Sequence, residues 1–209
     1  AYSSDLDVFP IDPRVRDVVE DAVGAFAEAG ASVEEVIVDA GTTREELLAS
    51  WMAGFEVGYA ELAANKAEEG VEYLGRHRGE ASPEFVELIE AGGKYGAVEY
   101  KRSDVGRTRF FDAIQSLFES HDLLVTPTLA VPPVENAAEG QTLGPTEVEG
   151  EAVDPLVGWC LTYPFNMTGH PAASVPAGLT DDGLPVGLQI VGRRWPAATV
   201  LAASAAFER

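Results

Sequence analysis

Cysteine, lysine and long apolar runs are all scarce in this chain of 209 residues. Its single cysteine, Cys160, excludes an internal disulfide and favours a reducing compartment such as the cytoplasm. No apolar run is as long as a membrane-spanning helix, and the first residues lack the pattern of a secretory signal peptide. We therefore expect a cytoplasmic protein that does not have a membrane as a partner.

Positive charge is scarce as well. Asp and Glu together number 35 and Lys and Arg 14, so the formal net charge is −21 at pH 7. A charge of this sign disfavours nucleic acid and anionic membranes as partners. Two interpretations stay open: a surface adapted to high salt, as in halophilic proteins, or an acidic protein that is simply very soluble.

Apolar residues are plentiful by comparison. They make up 46% of the chain, which argues against disorder despite the charge. The length is sufficient for one sizeable core, so we expect one domain over residues 1–209 with a helical excursion at residues 44–120. The chain starts at Ala1 rather than Met, which indicates trimming or deliberate shortening.

Strands and helices alternate in the first part of the chain. Ala1–Phe9 and Val33–Val38 have the residue pattern of strands. Between them Asp12 and Pro13 begin a helix, because Asp caps helices and Pro suits the first helical position, and Gly30 ends it. This order predicts an α/β fold in which a mixed β-sheet is flanked by helices.

The later elements follow from capping residues and apolar spacing. The predicted helices are Thr43–Lys66, Ser82–Gly92, Tyr95–Ser120, Asp154–Tyr163 and Pro196–Phe207. Leu123–Thr126 is predicted to be a buried strand, and residues 128–153 an irregular loop. The predicted contact face of the final helix comprises Val200, Leu201, Ala205 and Phe207.

The segment Pro164–Arg194 predicts a strand hairpin at the centre of the sheet. Ala172–Pro176 forms its first strand, and the turn Asp181-Asp182-Gly183 uses glycine for its positive φ. Pro185–Val191 is the returning strand. Its alternation places Val186, Leu188 and Ile190 on one face and Gly187, Gln189 and Val191 on the other.

The same segment resembles a known family. Its residues FNMTGHPAASVPAGLTDDGLPVGLQIVGR are similar to the carboxyl-terminal signature of the amidase signature family, whose members cleave amide bonds with a Ser–Ser–Lys triad. Two weaker similarities lie upstream, in AYSSDLDVFPIDPRVRDVVEDA and DLLVTPTLAVPP. The resemblance implies the carboxyl-terminal portion of an amidase signature fold.

The catalytic apparatus of that family lies in its first half, which this chain does not resemble. The family uses a lysine base and a serine-containing glycine-rich loop, whereas the lysines here, Lys66, Lys94 and Lys101, lie in predicted helical, acidic or aromatic surroundings. The Ser3-Ser4 pair has no neighbouring glycine to build an oxyanion loop. We therefore expect no catalytic residue in this chain, which would be a scaffold and cleft wall that is inactive alone. The alternative is a non-catalytic acidic module for binding or assembly.

Candidate cleft residues are few. Trp159, Thr162 and Phe165 are candidate pocket walls, although simple core packing explains each equally well. Ser174 is interpreted as a strand serine, since it lies outside any nucleophile-elbow motif. For Gln189 we expect a hydrogen bond on the sheet face.

A metal or cofactor site is not expected. The histidines His77, His121 and His170 have no ligand-like spacing among themselves or with Cys160, and there is no phosphate-binding glycine loop. For His170, which precedes a proline within the signature, we expect at most a supporting role. The implied partners are a small-molecule amide in the full-length protein and either a second copy or the missing amino-terminal half. Which amide is bound stays open.

Overall fold

The computed structural model describes residues 1–138, 140, 142–195 and 197–207. The helices in this part of the chain are α1 (Pro13–Glu28), α2 (Arg44–Glu68), a 3₁₀ turn (Arg78–Glu80), α3 (Pro83–Gly92), α4 (Ala97–Leu117), α5 (Tyr163–Thr168) and α6 (Ala198–Phe207). The strands are β1 (Leu123–Pro127), β2 (Glu147–Val148), β3 (Glu151–Ala152), β4 (Ala172–Leu179) and β5 (Pro185–Gly192). None of the described helices combines the length and hydropathy that crossing a bilayer requires.

The chain divides into two compact units. The first comprises residues 1–44 and 108–209, and the second comprises Glu45–Arg107. The first unit contains the sheet, in the strand order β1-β5-β4 with antiparallel pairing throughout. Parallel bridges join Tyr2 to Val125 and to Glu35 and widen the sheet beyond β1. The predicted fold class, a mixed β-sheet flanked by helices, is confirmed.

Both faces of this sheet carry buried residues, and one face packs on two helices. Leu188 and Ile190 are fully buried on one face. On that face a side chain at Gly192 would collide with Val200 of α6, and one at Gly178 would touch Val18 of α1. Part of the core of the first unit therefore lies between the sheet and these two helices, and the opposite face carries Gln189 together with the fully buried Val191 and Leu124.

Helix α1 begins where the sequence predicts. The Asp12 side chain accepts a hydrogen bond from the backbone N–H of Arg14 at 2.9 Å and binds its guanidinium at 2.7 Å, with Pro13 as the first helical residue. The helix ends at Glu28, just before Gly30 at φ 93°. Its buried stripe has helical spacing and consists of Val15, Val19, Val23 and Phe26.

The second unit is helical. A side chain at Gly92 would lie 2.0 Å from the carbonyl oxygen of Glu56, so α2 and α3 pack backbone to backbone at this point. Beside this contact, aromatic rings pack in sequence from Phe55 to Tyr59 (4.8 Å between centroids) and from Tyr59 to Phe85 (5.4 Å). These half-buried rings join α2 to α3 within the second unit.

Three strand predictions needed correction. Of the predicted strand Ala1–Phe9, Tyr2 alone forms bridges, because Leu6 and Asp7 adopt positive φ angles and the chain turns away from the sheet. Of Val33–Val38, Glu35 alone is bridged. The region 128–153, predicted to be irregular, contains the small β2–β3 hairpin.

Two helix predictions were also wrong in part. Asp154 accepts hydrogen bonds from the backbone N–H groups of Leu156 and Val157, as a cap would, but only turns follow and the helix begins at Tyr163. In α6, Val200 is buried and Phe207 packs on Phe26 at 5.2 Å, whereas Leu201 and Ala205 are exposed. An Ala-rich helix is apolar on every side, so its pattern does not identify the buried face. Pro196, the predicted first residue of this helix, lies outside the described residues.

Candidate functional site

A cavity of about 320 Å³ opens on the face of the sheet that carries Gln189. It is built from α5, the segment that follows α5, and the strands β4 and β5. Its lining consists of Thr162, Phe165, Asn166, His170, Ala172, Ala173, Ser174 and Gln189. Among these described residues there is no Lys, Arg, Asp or Glu, so the lining consists of amide, hydroxyl, imidazole and apolar groups.

The side-chain amide of Gln189 has a single possible orientation. Its Nε2 donates to the carbonyl oxygen of Leu161 at 3.3 Å and to Oγ1 of Thr126 at 3.1 Å. A backbone carbonyl can only accept, so the NH₂ group must lie on that side. The amide oxygen consequently faces away from both partners, on a side chain that is 2% exposed and lines the cavity.

Two hydroxyl groups meet across the middle strand of the sheet. Oγ1 of Thr128, just after β1, lies 2.8 Å from Oγ of Ser174 on β4. Gly187 of β5 lies between them, and a Cβ atom there would be 2.9 Å from the Thr128 hydroxyl and 3.1 Å from that of Ser174. The missing side chain at Gly187 therefore allows the two hydroxyls to form a hydrogen bond.

His170 is held in place at the edge of the cavity. Gly169 ends α5 in the left-handed conformation, at φ 69°, and turns the chain so that the imidazole is buried. Nδ1 lies 2.8 Å from the hydroxyl of Thr168 and Nε2 lies 2.9 Å from Oε1 of Gln115. Burial, together with the positive charge of Arg194, lowers the pKa of His170 to about 4. The ring is therefore neutral at pH 7, with a polar partner at each of its nitrogens.

The three predicted cleft residues occupy different places. Thr162 and Phe165 both line the cavity, where Phe165 is 2% exposed and packs on Phe110 at 5.5 Å between ring centroids. Trp159 is not among the described lining residues. Its Nε1 donates to the carbonyl oxygen of Pro155 at 3.2 Å, and its ring lies where a side chain of Gly144 would be. A role in binding stays a prediction for all three.

Four polar lining residues were not among these candidates: His170, described above, and Ser174, Gln189 and Asn166. Ser174 lies on a strand, as expected, and its hydroxyl also faces the cavity; Gln189 makes the expected hydrogen bonds on the sheet face and lines the same cavity. Asn166, which also lines it, lies in the signature directly after Phe165. The alternation of β5 could have indicated Gln189 and Ser174, because these two are paired residues of adjacent strands.

Neither a metal centre nor a reactive thiol is evident in the described residues. No cluster of three or more His, Cys, Asp or Glu side chains there could hold a metal ion. Burial raises the pKa of the Cys160 thiol to about 11, so the thiol stays protonated at pH 7 and is a poor nucleophile.

The fold and the cavity together define an α/β protein with a cavity on one sheet face whose lining has no Lys, Arg, Asp or Glu among the described residues. This chain belongs to the amidase family, since the family model described as Amidase matches residues 1–201. The predicted membership of the amidase signature enzymes is thereby confirmed.

Individual relatives agree with this assignment. The chain is 34% identical over its whole length to an acylamidase of Rhodococcus erythropolis and 31% identical over 95% of its length to a glutamyl-tRNA(Gln) amidotransferase subunit from Lactiplantibacillus plantarum. It matches the crystal structure of a bacterial aryl acylamidase of the amidase signature family with a TM-score of 0.92 and 37% identity over 100% of this chain. The chain spans 41%, 42% and 43% of the lengths of these three proteins.

Proposed function

We propose that this chain is the carboxyl-terminal part of an amide hydrolase and forms one wall of its substrate cleft. The observation that carries the proposal is the uncharged cavity, whose lining comes almost entirely from the signature segment Pro164–Arg194. Amide and hydroxyl groups beside an apolar ring suit a neutral carboxamide better than a charged substrate. The reaction proposed for the whole protein converts a carboxylic amide to an acid and ammonia or an amine.

The reacting groups of that hydrolase are proposed to lie in residues outside this chain. A serine nucleophile would attack the amide carbonyl, a second serine would pass the proton to a lysine, and backbone N–H groups would hold the oxyanion. In the described residues no serine hydroxyl hydrogen-bonds a lysine: Lys66 binds Glu69, and Lys101 binds Asp104. Ser3 is buried and accepts a hydrogen bond from the N–H of Leu6.

We also propose a domain organisation for this chain and a role for each candidate residue. Residues 1–209 are part of one amidase signature domain, and residues 44–120 form a helical excursion within it. Thr162 and Phe165 form part of the cleft wall, and Trp159 supports the loop that includes Gly144. The proposed partners are a small-molecule amide and either the remaining part of the protein or a second copy of this chain. The single cysteine supports a cytoplasmic location.

Amide hydrolysis by the isolated chain tests the proposal. Ammonia release from benzamide should not exceed that of buffer, because the wall without a nucleophile and base supplies no chemical step. Turnover by this chain that is abolished by Ser174→Ala or Lys94→Met would show that the reacting groups are here and would refute the proposal.

The parent reading frame provides a second test, which separates the hydrolase from the acidic binding module. A hydrolase requires a lysine and a glycine-rich loop with serines upstream of this segment. A complete frame without them would favour the module.

A further inference from the structure

We propose that a second cavity, between α1, α6 and the beginning of β1, binds a small organic cation that consists of an apolar body and one ammonium group. This cavity has a volume of about 550 Å³, a size typical of small-molecule pockets. It shares no described lining residue with the cavity beside Gln189. The inference concerns a different place in the fold and does not depend on the proposed function.

The wall formed by the two helices is apolar. Val23 and Phe26 of α1 line the cavity and are each 7% exposed, and the ring of Phe26 packs on that of Phe207 at 5.2 Å between centroids. Helix α6 contributes Ala202 and Ala203, whose side chains are too short to fill the space. A ligand that places a hydrocarbon group here removes apolar surface from water on both sides of the contact.

The anchor for the ammonium group is the carboxylate of Glu34, which lines the same cavity. Its backbone is fixed, because the carbonyl oxygen of Glu34 accepts a hydrogen bond from the N–H of Tyr2 at 2.7 Å. Oε2 of Glu34 lies 3.0 Å from Nε2 of His121, which holds the side chain at this end of the cavity. In the described residues no Lys or Arg binds this carboxylate, so an incoming ammonium group would not have to displace one.

The charges around the cavity favour a cation. Its described lining contains the carboxylates of Glu34 and Asp122 and neither Lys nor Arg, and Asp122 binds Arg193 at 3.5 Å. The amino group of Ala1, which also lines the cavity, donates to the carbonyl oxygen of Leu123 at 2.9 Å. Burial lowers the pKa of this amino group from its usual value of 8.0, against the opposing effect of Glu34 and Asp122, so more than half of it is neutral at pH 8. A carboxylate ligand would be repelled at the same place.

Nuclear magnetic resonance titration of the full chain at pH 8 tests the specificity. The 2-phenylethylammonium ion should shift the backbone amide resonances of Phe26, Glu34 and Ala202. The 3-phenylpropionate ion, which has the same ring and spacer but the opposite charge, should bind about tenfold more weakly. The neutral 2-phenylethanol should bind with an affinity between those of the two ions.

Two substitutions with matched controls test the residues. Ala202→Leu fills the cavity from an exposed position of α6 and should abolish the shifts, whereas Ala205→Leu, exposed on the same helix but outside the lining, should leave them unchanged. Glu34→Gln should weaken the ammonium ion about threefold to fivefold and leave 2-phenylethanol unchanged. Its control is Glu35→Gln, which removes the neighbouring exposed carboxylate outside the lining. Unchanged resonances of the β4–β5 hairpin show that each variant is folded.

Three results would each overturn the inference. They are equal binding of the ammonium and carboxylate ions, unchanged binding of the ammonium ion by folded Ala202→Leu, and shifts confined to residues away from this cavity. A loss of affinity in Glu34→Gln that is the same for the ammonium ion and for 2-phenylethanol would remove the carboxylate from its role as anchor. None of these results affects the proposed function, which depends on the absence of turnover by this chain.

Discussion

Acidification should destabilise the chain through His170 well before its carboxylates titrate. The imidazole is 5% exposed and packs beside the rings of Phe111 and Phe118, at 5.5 and 5.6 Å between centroids. Burial and the charge of Arg194 lower its pKa to about 4 in the folded state, against a value of 6.5 for a free histidine. A lowered histidine pKa means that the folded state favours the neutral ring. The associated stability is complete above pH 6.5 and is lost as the pH falls towards 4.

The magnitude follows from linkage between protonation and folding. Between about pH 7 and pH 5 the unfolded state binds a proton at His170 and the folded state does not. The free energy of unfolding therefore falls by about 2 kcal/mol. When the pH falls below the folded-state pKa of about 4, the total loss in the free energy of unfolding approaches about 3 kcal/mol. This is a large part of the free energy of unfolding of an ordinary domain, which is about 5–15 kcal/mol.

Urea denaturation at both pH values measures this loss directly. The parent chain should lose about 2 kcal/mol between pH 7 and pH 5, whereas His170→Asn, which has no titrating ring, should lose much less over the same interval. His77→Asn is the matched control, because its Nδ1 accepts a hydrogen bond from the N–H of Glu72 at the surface, and it should behave like the parent. A parent chain and a His170→Asn variant with parallel pH profiles would refute the reasoning.

Three further predictions concern stability. Asp12→Ala should cost about 1 kcal/mol in urea denaturation, since it removes the cap of α1, while Asp17→Ala on the exposed face of the same helix should cost nothing; equal losses would contradict the capping argument. Gly92→Ala should cost several kcal/mol, because its Cβ would overlap the carbonyl of Glu56 at 2.0 Å, whereas Gly96→Ala has open space and should be neutral or stabilising. Thermal denaturation in rising sodium chloride should show an increasing melting temperature, because salt screens the repulsion of 21 net negative charges. A melting temperature independent of salt would favour the interpretation of a merely soluble acidic protein.

Much of the fold could be predicted from local sequence patterns. The hairpin of β4 and β5 follows from alternation and from a turn at Asp181–Gly183, and the start of α1 follows from Asp12 and Pro13. Asp154 and Pro155 present the same pair of residue types, yet no helix forms there. A side chain at Gly158 would be 2.5 Å from the backbone nitrogen of Asp154, so the chain closes into a tight turn instead.

The candidate site was predictable only in part. Thr162 and Phe165, two of the three residues proposed from the sequence as pocket walls, line the cavity, and their role in binding stays a prediction. The hydroxyl of Thr128 could not be assigned to the site in this way. It lies 46 residues from Ser174 in the chain, and the strand that separates them must carry glycine at position 187 for the two to meet.

The sequence by itself determined the family and the alternation of β5. It also shows the scarcity of lysines that supports the proposal that the reacting groups lie outside this chain. These are properties of neighbouring residues and of composition, which do not depend on the rest of the fold. Only the tertiary structure decided that the NH₂ group of Gln189 points to Leu161 and Thr126, and that the hydroxyls of Thr128 and Ser174 meet beside Gly187. Both results depend on carbonyl and hydroxyl groups that the strand order β1-β5-β4 brings together, and no local pattern encodes that order.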